Sequence, residues 1–273
     1  MANAMLIFVG LYFLTRCSAE DSRKPFSVLW LGNSYTWRND VPGLVSQLAE
    51  AAGLPLVWDS HAESSWTWRL HAASQETLDK IAGRVWDAVV LQEQSTRPAY
   101  EESAVCNNSA PYLSQLVRAV RARSQAAAIQ LYLTWGRPHG EPSLCSQDRP
   151  QFCSFSSMQD RLTSTYQALA CTNTPARLAP VGEAFRQLWG GPELLTLYSE
   201  GGGDHHASQA GSYLAAVTHF SALFNRSAVG LAAQGGLDKE TAARLQEAGS
   251  RAWAGAQWQW TDTADCSLCL CDC

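Results

Sequence analysis

The chain has 273 residues, of which 46% are hydrophobic, and this length and composition suit one large folded domain with its own core. Its formal net charge of -5, without any basic stretch, argues against a nucleic-acid partner and against attraction to an anionic membrane surface. Eleven tryptophans offer flat faces of the kind that stack on sugar rings, although most tryptophans in a folded protein fill its core.

The N-terminal segment has the pattern of a targeting sequence. Residues 5–14, MLIFVGLYFL, form an apolar run that is too short to span a bilayer and is typical of a signal peptide. The small residues Cys17, Ser18 and Ala19 suit cleavage after position 19. We therefore expect residues 1–19 to be a signal peptide, with a short core helix as the alternative. The protein would then be exported, to the cell exterior, the periplasm or the lumen of the secretory pathway, without a membrane span.

Short apolar runs alternate with amphipathic segments along the rest of the chain. Strands are predicted at 26–32, 54–59, 86–92, 128–135 and 176–182, because these runs resemble buried parallel strands. Helices are predicted at 41–53, 111–124, 158–170 and 208–224, where apolar residues recur with a period of 3.6. This alternation predicts a parallel sheet covered on both faces within residues 20–232, followed by a helical extension with a Cys-rich tail at 233–273.

Eight cysteines lie beyond the expected signal peptide, and an even number in an exported chain suggests disulfides. Cys145 and Cys153 flank a short polar loop and are the best candidate pair. The four cysteines of residues 266–273 either pair with one another, reach back to the body of the protein, or bind zinc or copper; we expect no metal, because no His lies beside them. Sequons begin at Asn107 and Asn225, and they would carry glycans only in a eukaryotic secretory pathway.

Two polar elements stand at the ends of predicted strands and helices. Ser34, in the stretch LWLGNSYTWRND, follows the first strand directly, so its hydroxyl either caps the next helix or acts as a nucleophile beside backbone N–H donors. Asp204, His205 and His206 lie in a Gly-rich loop just before the helix at 208–224. A catalytic triad requires such a set: a hydroxyl, a base that accepts its proton, and a carboxylate that orients the base.

Together these elements resemble the SGNH, or GDSL-like, hydrolases. The Gly-Asp-Ser block of that superfamily stands here as Gly32-Asn33-Ser34, and the block that carries its catalytic Asp and His precedes the last helix. The motifs WDAVVLQEQS, TWGRP, APVGEAF and HASQAGSYLAA agree best with a bacterial-type branch known only as a domain of unknown function, and the resemblance covers residues 26–230. It implies a flavodoxin-like three-layer α/β/α sandwich with a parallel sheet, the SGNH hydrolase fold, and ester hydrolysis without a cofactor or metal.

The resemblance also assigns the catalytic roles by position. Ser34 matches the nucleophile and His206 matches the base, with His205 as the alternative base. The family carboxylate lies three residues before its His, whereas Asp204 lies two residues before His206, in a loop lengthened by glycine. Asp204 is therefore the expected acid and Glu200 is the second candidate. If neither carboxylate reaches the base, the enzyme would work as a Ser-His dyad.

The donors that would stabilise an oxyanion follow from the same resemblance. They are the backbone N–H of Ser34, the backbone N–H of Ser64 or Ser65 in place of the family Gly, and the side-chain amide of Gln94, where the wider superfamily has Asn. The two residues that precede Gln94 are expected to line the pocket or to bond neighbouring loops.

We therefore expect a secreted serine esterase that hydrolyses small-molecule or glycan esters, with O-acetyl groups on a carbohydrate as the favoured substrate. Trp135 is expected to contact the substrate, with packing against Arg137 as the alternative. A lipase or thioesterase is the rival activity. A secreted glycan-binding protein that kept the fold and lost the chemistry is the alternative of a different class. The distance between Ser34 and His206 separates an enzyme from a binding protein.

Overall fold

The computed structural model describes residues 24–173, 176–191, 197–199 and 205–256. Within these ranges, five parallel strands form one sheet in the order β2-β1-β3-β4-β5. The strands are β1 (Phe26–Gly32), β2 (Leu56–Ala62), β3 (Ala88–Leu91), β4 (Ala128–Tyr132) and β5 (Ala176–Ala179). All five predicted strands are present, and they differ from the prediction mainly at their ends.

Helices connect the strands and cover the sheet. They are α1 (Ser34–Trp37), α2 (Val41–Ala51), α3 (Trp68–Ala73), α4 (Gln75–Ala82), α5 (Glu102–Asn108), α6 (Ala110–Arg123), α7 (Phe155–Thr172), α8 (Val181–Gln187), α9 (Gln209–Phe224) and α10 (Lys239–Ala256). The four predicted helices correspond to α2, α6, α7 and α9. The short helices α3, α4, α5 and α8 were not predicted from periodicity, because one or two turns carry too few apolar repeats.

Two hydrophobic cores lie on opposite faces of the sheet. Successive strand residues point to opposite faces, so Val28 and Trp30 of β1 join one core with α2, α8, α9 and α10, while Leu29 and Leu31 join the other with α3 to α7. Because both faces are covered, β1, β3 and β4 are largely apolar and buried, whereas β2, at one edge of the sheet, carries Asp59 and the exposed Trp58. The predicted three-layer α/β/α sandwich with a parallel sheet is thereby confirmed.

The segment predicted as a helical extension contributes to this fold. Within it, α10 packs along α9, and Leu245, Ala248 and Ala252 of α10 are buried in the same core as the sheet. The helix is therefore part of an outer layer of the sandwich rather than an appendage. The expected signal peptide and the four-cysteine tail lie outside the described residues.

The predicted pairing of Cys145 with Cys153 is confirmed, because the two residues form a disulfide across the polar loop. Cys106 and Cys171 are also disulfide-bonded. None of the helices in the described part of the chain is both long enough and apolar enough to span a bilayer.

Candidate active site

The turn between β1 and α1 presents the expected nucleophile. Asn33 caps α1, since its side-chain oxygen accepts a hydrogen bond from the backbone N–H of Tyr35 at 3.1 Å. The hydroxyl of Ser34 is therefore not used as the helix cap. Gly32 is required just before it, because a Cβ there would lie 2.3 Å from Thr36 Oγ1 and 2.7 Å from Gln92 Oε1. The local sequence thus leaves the Ser34 side chain available at the carboxyl end of the sheet.

Side chains from two other segments hold this turn. Gln92, just after β3, accepts hydrogen bonds from the backbone N–H of Asn33 at 2.8 Å and from the hydroxyl of Thr36 at 3.0 Å. The side-chain amide of Asn33 donates to the backbone carbonyl of Trp66 at 2.9 Å. Because these groups are buried, each lost hydrogen bond would leave an unsatisfied polar atom and cost about 1–3 kcal/mol.

A buried histidine supports the same turn from the side of α3. Nε2 of His71 donates to the carbonyl of Gly32 at 2.8 Å, and Nδ1 lies 3.1 Å from the hydroxyl of Thr77. Burial lowers the pKa of His71 to about 4, so the ring is neutral and Nδ1 accepts the Thr77 proton. The Thr77 oxygen in turn lies 2.7 Å from Nδ1 of His61. The sequence did not indicate a role for either histidine, although both lie in the segment HAESSWTWRLH, residues 61–71, which also contains Ser65.

The expected base lies against the expected nucleophile. Nε2 of His206 is 2.8 Å from Oγ of Ser34, although the two residues are 172 positions apart in the chain. The ring of His206 packs edge-on against Tyr35, with the ring centroids 5.6 Å apart. His206, and not His205, therefore makes the contact that proton transfer from Ser34 requires.

The backbone on either side of His206 is fixed by hydrogen bonds. The carbonyl of His205 accepts from the hydroxyl of Tyr35 and from Nε1 of Trp135, both at 3.0 Å. The carbonyl of His206 accepts from the backbone N–H of Ser199 at 2.9 Å. Tyr35 directly follows the nucleophile, so one residue ties the two catalytic segments together.

The position of Trp135 corrects the expected substrate contact. Its side chain is fully buried and lies between the rings of Tyr35 and Phe185, with centroid separations of 4.3 and 4.5 Å. A buried indole that donates to the His205 carbonyl has no surface left for a ligand. Trp135 therefore positions the histidine loop, and it does not stack on Arg137 either.

Ser65 adopts the backbone conformation that the family Gly would favour. Its φ angle is +63°, in the left-handed region that costs a residue with a Cβ about 1 kcal/mol. Ser64 does not share this positive angle among the described residues. Of the two candidates, Ser65 is therefore the residue that stands in the Gly position, and its backbone N–H is retained.

Gln94 is held with its amide group available as a donor. Its side-chain oxygen accepts from the backbone N–H of Thr96 at 2.9 Å and from the hydroxyl of Thr96 at 2.8 Å. Because the oxygen is engaged by two donors, the NH₂ group is the part of the amide that remains for a ligand. Its position on the wall of the pocket suits hydrogen bonding to an oxyanion.

The residue before Gln94 anchors the loop after β3. Oε1 of Glu93 accepts from the backbone N–H of Gln94 at 2.7 Å and from that of Trp68 at 3.1 Å. Burial raises the pKa of Glu93 from 4.5 to about 7, and these two backbone donors offset only part of the effect. Gln92 and Glu93 thus bond neighbouring loops, as expected from the sequence.

These groups surround one pocket of about 210 Å³ at the carboxyl end of the sheet. Ser34, Ser65, Gln94 and His206 all line it. Trp37 lies on its rim with 48% of the side chain exposed, three residues after Ser34 and so on the same side of α1. The spacing of Trp37 from the nucleophile is the signal in the sequence that could have singled it out among the eleven tryptophans.

The expected acids Asp204 and Glu200 lie outside the described residues. Among the described His, Cys, Asp and Glu side chains, no group of three or more is placed to hold a metal ion. The described site thus consists of a hydroxyl, an imidazole and a set of N–H donors. These are the functional groups that acyl transfer through a serine requires.

Comparison with known proteins addresses the fold. No family model and no curated protein matches the sequence. Among solved structures, a DUF4886 family protein from Bacteroides uniformis is 17% identical with a TM-score of 0.71, over 84% of this chain and 95% of its own. A candidate SGNH hydrolase from Slackia heliotrinireducens is 28% identical with a TM-score of 0.57, over 73% of this chain and 100% of its own. A candidate GDSL-like lipase from Parabacteroides merdae is 15% identical with a TM-score of 0.54, over 74% and 97%.

These likenesses agree with the motifs and with the arrangement of the site. The match to the 28% identical structure covers that protein over its whole length. The DUF4886 family protein agrees with the branch of unknown function that the motifs indicated. The chain therefore has the fold of the SGNH hydrolase superfamily, close to that branch, as the resemblance in its sequence predicted.

Proposed function

We propose that the protein is an exported serine esterase that removes short acyl groups, such as acetyl, from a carbohydrate. The observation that carries the proposal is the 2.8 Å contact between Ser34 Oγ and His206 Nε2 in a pocket lined by oxyanion donors. The similarity to SGNH hydrolases supports the broader class of hydrolase. The disulfide between Cys145 and Cys153 supports an oxidising compartment and hence export.

The proposed mechanism uses a covalent acyl-enzyme. Nε2 of His206 accepts the hydroxyl proton of Ser34 while Oγ attacks the ester carbonyl, and the negative charge on the carbonyl oxygen is stabilised by the N–H groups of Ser34 and Ser65 and by the Gln94 amide. His206 then donates the proton to the departing alcohol. Water attacks the acyl-enzyme by the same route and releases the acid, so one ester and one water give one alcohol and one acid. We assign to Asp204 the orientation of His206.

The pocket and its rim favour a short acyl group on a sugar over a long acyl chain. A volume of about 210 Å³ with many polar lining residues suits acetyl better than the fatty chain of a lipase substrate. The departing alcohol must lie beside His206, and Trp37 exposes a flat apolar face on the rim of that pocket. A sugar ring stacked on Trp37 would therefore be the alcohol half of the ester.

A binding protein without activity is the alternative. Its support lies in the departures from the family pattern: Asn33 in place of Asp, Ser65 in place of Gly, and the shifted Asp204. The first two departures are compatible with catalysis, because Asn33 still caps α1 and Ser65 still has a backbone N–H in the left-handed conformation. The contact between Ser34 and His206 favours the enzyme.

Replacement of the nucleophile tests the proposal directly. Ser34→Ala is expected to reduce hydrolysis of 4-nitrophenyl acetate to the uncatalysed background with little change in the thermal midpoint, since only the hydroxyl of a half-buried side chain that lines the pocket is lost. Ser103→Ala, an exposed serine on α5, is the matched control and should keep wild-type activity. An active Ser34→Ala enzyme would rule out the acyl-enzyme at this residue.

The two adjacent histidines give a second test. His206→Asn is expected to lower kcat/KM by roughly 10³-fold or more, because the general base is lost. His205→Asn should lower it by less than about tenfold, since the hydrogen bonds from Tyr35 and Trp135 are made to its backbone carbonyl, which Asn retains. The reverse ranking of the two variants would assign the base to His205.

A comparison of two carboxylate variants tests the proposed acid. Asp204→Asn is expected to lower kcat by a factor that approaches roughly 10⁴, the loss seen when the orienting Asp of a serine protease triad is replaced, while Glu200→Gln stays near wild type. A loss of only about tenfold in Asp204→Asn would indicate a Ser34-His206 dyad. A large loss in Glu200→Gln alone would move the role to that residue.

Replacement of the rim tryptophan tests the substrate class. Trp37→Ala is expected to lower kcat/KM on an acetylated oligosaccharide by roughly tenfold, because a stacking surface worth about 1.5 kcal/mol is lost. The change on 4-nitrophenyl acetate should stay within about twofold, since that ester carries no sugar ring. Trp58→Ala removes an exposed tryptophan on β2 and is the control. Equal losses of Trp37→Ala on both substrates would contradict a sugar platform.

A further inference from the structure

A second cavity opens beside the nucleophile pocket and has no part in the mechanism above. Its volume is about 520 Å³, and Ser65 and Gln94 line both spaces, so these two residues form the boundary between them. The second cavity is lined further by Thr67, Thr96, Arg97, Tyr100, Glu101, Ala104 and Asn108. Most of these side chains are polar, which suits a hydrophilic part of a substrate more than an acyl chain.

Arg97 provides the unbalanced charge of this cavity. Its guanidinium is exposed and makes no hydrogen bond or ion pair with any of the described residues, whereas its backbone N–H donates to Gln94 Oε1 at 3.3 Å. Glu101 is the other charged residue of the lining, and it is paired with Arg149 at 3.3 Å. Arg149 also lies over the ring of Tyr100, 5.4 Å from the ring centroid. The described lining therefore presents one positive charge without an ion-pair partner. The carboxylate of Glu93 interacts with Arg97 electrostatically, but it is fully buried, does not line the cavity, and is bonded to the backbone N–H groups of Gln94 and Trp68.

Arg97 is also attached to the catalytic machinery. It lies three residues after Gln94, at the start of a short 3-10 helix that spans Arg97–Ala99. The hydrogen bond from its backbone N–H to the Gln94 side chain fixes the backbone of Arg97 beside the proposed oxyanion donor. A group bound by the Arg97 side chain would thus lie close to the reacting carbonyl.

We propose that the second cavity binds a carboxylate carried by the ester substrate, with Arg97 as its principal ligand. This inference rests on the proposed esterase function and narrows its substrate to acidic esters. A guanidinium binds a carboxylate through two parallel N–H donors, which gives both affinity and orientation. The net charge of -5 opposes an anion only weakly at this range, because charges more than about 8 Å away are largely screened at physiological salt.

Two halves of an ester can supply the carboxylate. The cavity lies across Ser65 and Gln94 from the pocket that His206 lines, and the departing alcohol must be near His206. An acyl group with a terminal carboxylate reaches Arg97 past the oxyanion donors. An acidic sugar reaches Arg97 when it crosses the boundary formed by Ser65 and Gln94. The sugar ring that crosses is either the one that bears the carboxylate or the neighbouring ring in a chain. The chemistry recognised is the same in both cases.

Two matched pairs of esters test the inference and separate the two sources. The first pair is 4-nitrophenyl hemisuccinate against 4-nitrophenyl butyrate, which places the carboxylate on the acyl group. The second pair is mono-O-acetyl glucuronic acid against mono-O-acetyl glucose, which places it on the sugar. The quantity measured is the ratio of kcat/KM for the acidic ester to that for the neutral ester, so that a general loss of activity in a variant cancels.

The wild-type enzyme is expected to prefer the acidic member of at least one pair, and Arg97→Gln should lower that ratio by about tenfold, as for the loss of a charge-assisted hydrogen bond. Arg97→Lys should keep more of the preference than Arg97→Gln, because it retains the charge without the fork. Arg118→Gln removes an exposed arginine of α6 and should leave the ratio unchanged. Higher ionic strength should lower the preference of the wild type.

The outcomes distinguish this inference from the esterase proposal. If the wild type hydrolyses the neutral esters in a Ser34-dependent manner but shows no preference for an acidic ester in either pair, the carboxylate site is wrong and the esterase function stands. A preference that Arg97→Gln leaves unchanged also overturns the role of Arg97. If none of the four esters is hydrolysed, the esterase proposal fails, and the inference that rests on it fails as well.

Discussion

The site depends on one buried constraint, the hold on the backbone of residues 32–34 at the end of β1. Gln92 accepts from the N–H of Asn33, and His71 donates to the carbonyl of Gly32, so both polar atoms of the peptide group between Gly32 and Asn33 are satisfied. The side chain of Asn33 then caps α1. Because other side chains bond the Gly32–Asn33 peptide and Asn33 caps the helix, the hydroxyl of Ser34 is left for His206.

The second half of the site is tied to the first through aromatic packing. The ring of Trp135 is stacked between Tyr35 and Phe185, and both Tyr35 and Trp135 donate to the carbonyl of His205. Tyr35 belongs to the nucleophile helix, so a displacement of that helix also displaces the loop of His206. Such preorganisation is what electrostatic catalysis requires, since donors that are already in place need no rearrangement in the transition state.

The departures from the family pattern have structural compensations. Ser65 keeps the left-handed backbone of the family Gly at a cost of about 1 kcal/mol, and it lines the pocket together with Gln94. Gln94 replaces Asn with a longer side chain, whose oxygen is held by Thr96. The substitutions therefore change the means by which the donors are positioned, while the number of N–H groups around the pocket is kept.

The amino-acid sequence by itself determined the layered α/β architecture, since short apolar runs and amphipathic helices report burial through their own periodicity. It also singled out Ser34 and His206, because each lies in a local motif, and it paired Cys145 with Cys153 across a short loop. Tertiary structure alone decided that Asn33 rather than Ser34 caps α1, that His206 rather than His205 contacts Ser34, that Ser65 has the positive φ, and that Trp135 is buried. The contact of Ser34 with His206, across 172 residues, and the burial of Trp135 depend on partners distant in the chain, and local periodicity carries no information about which distant atoms will meet.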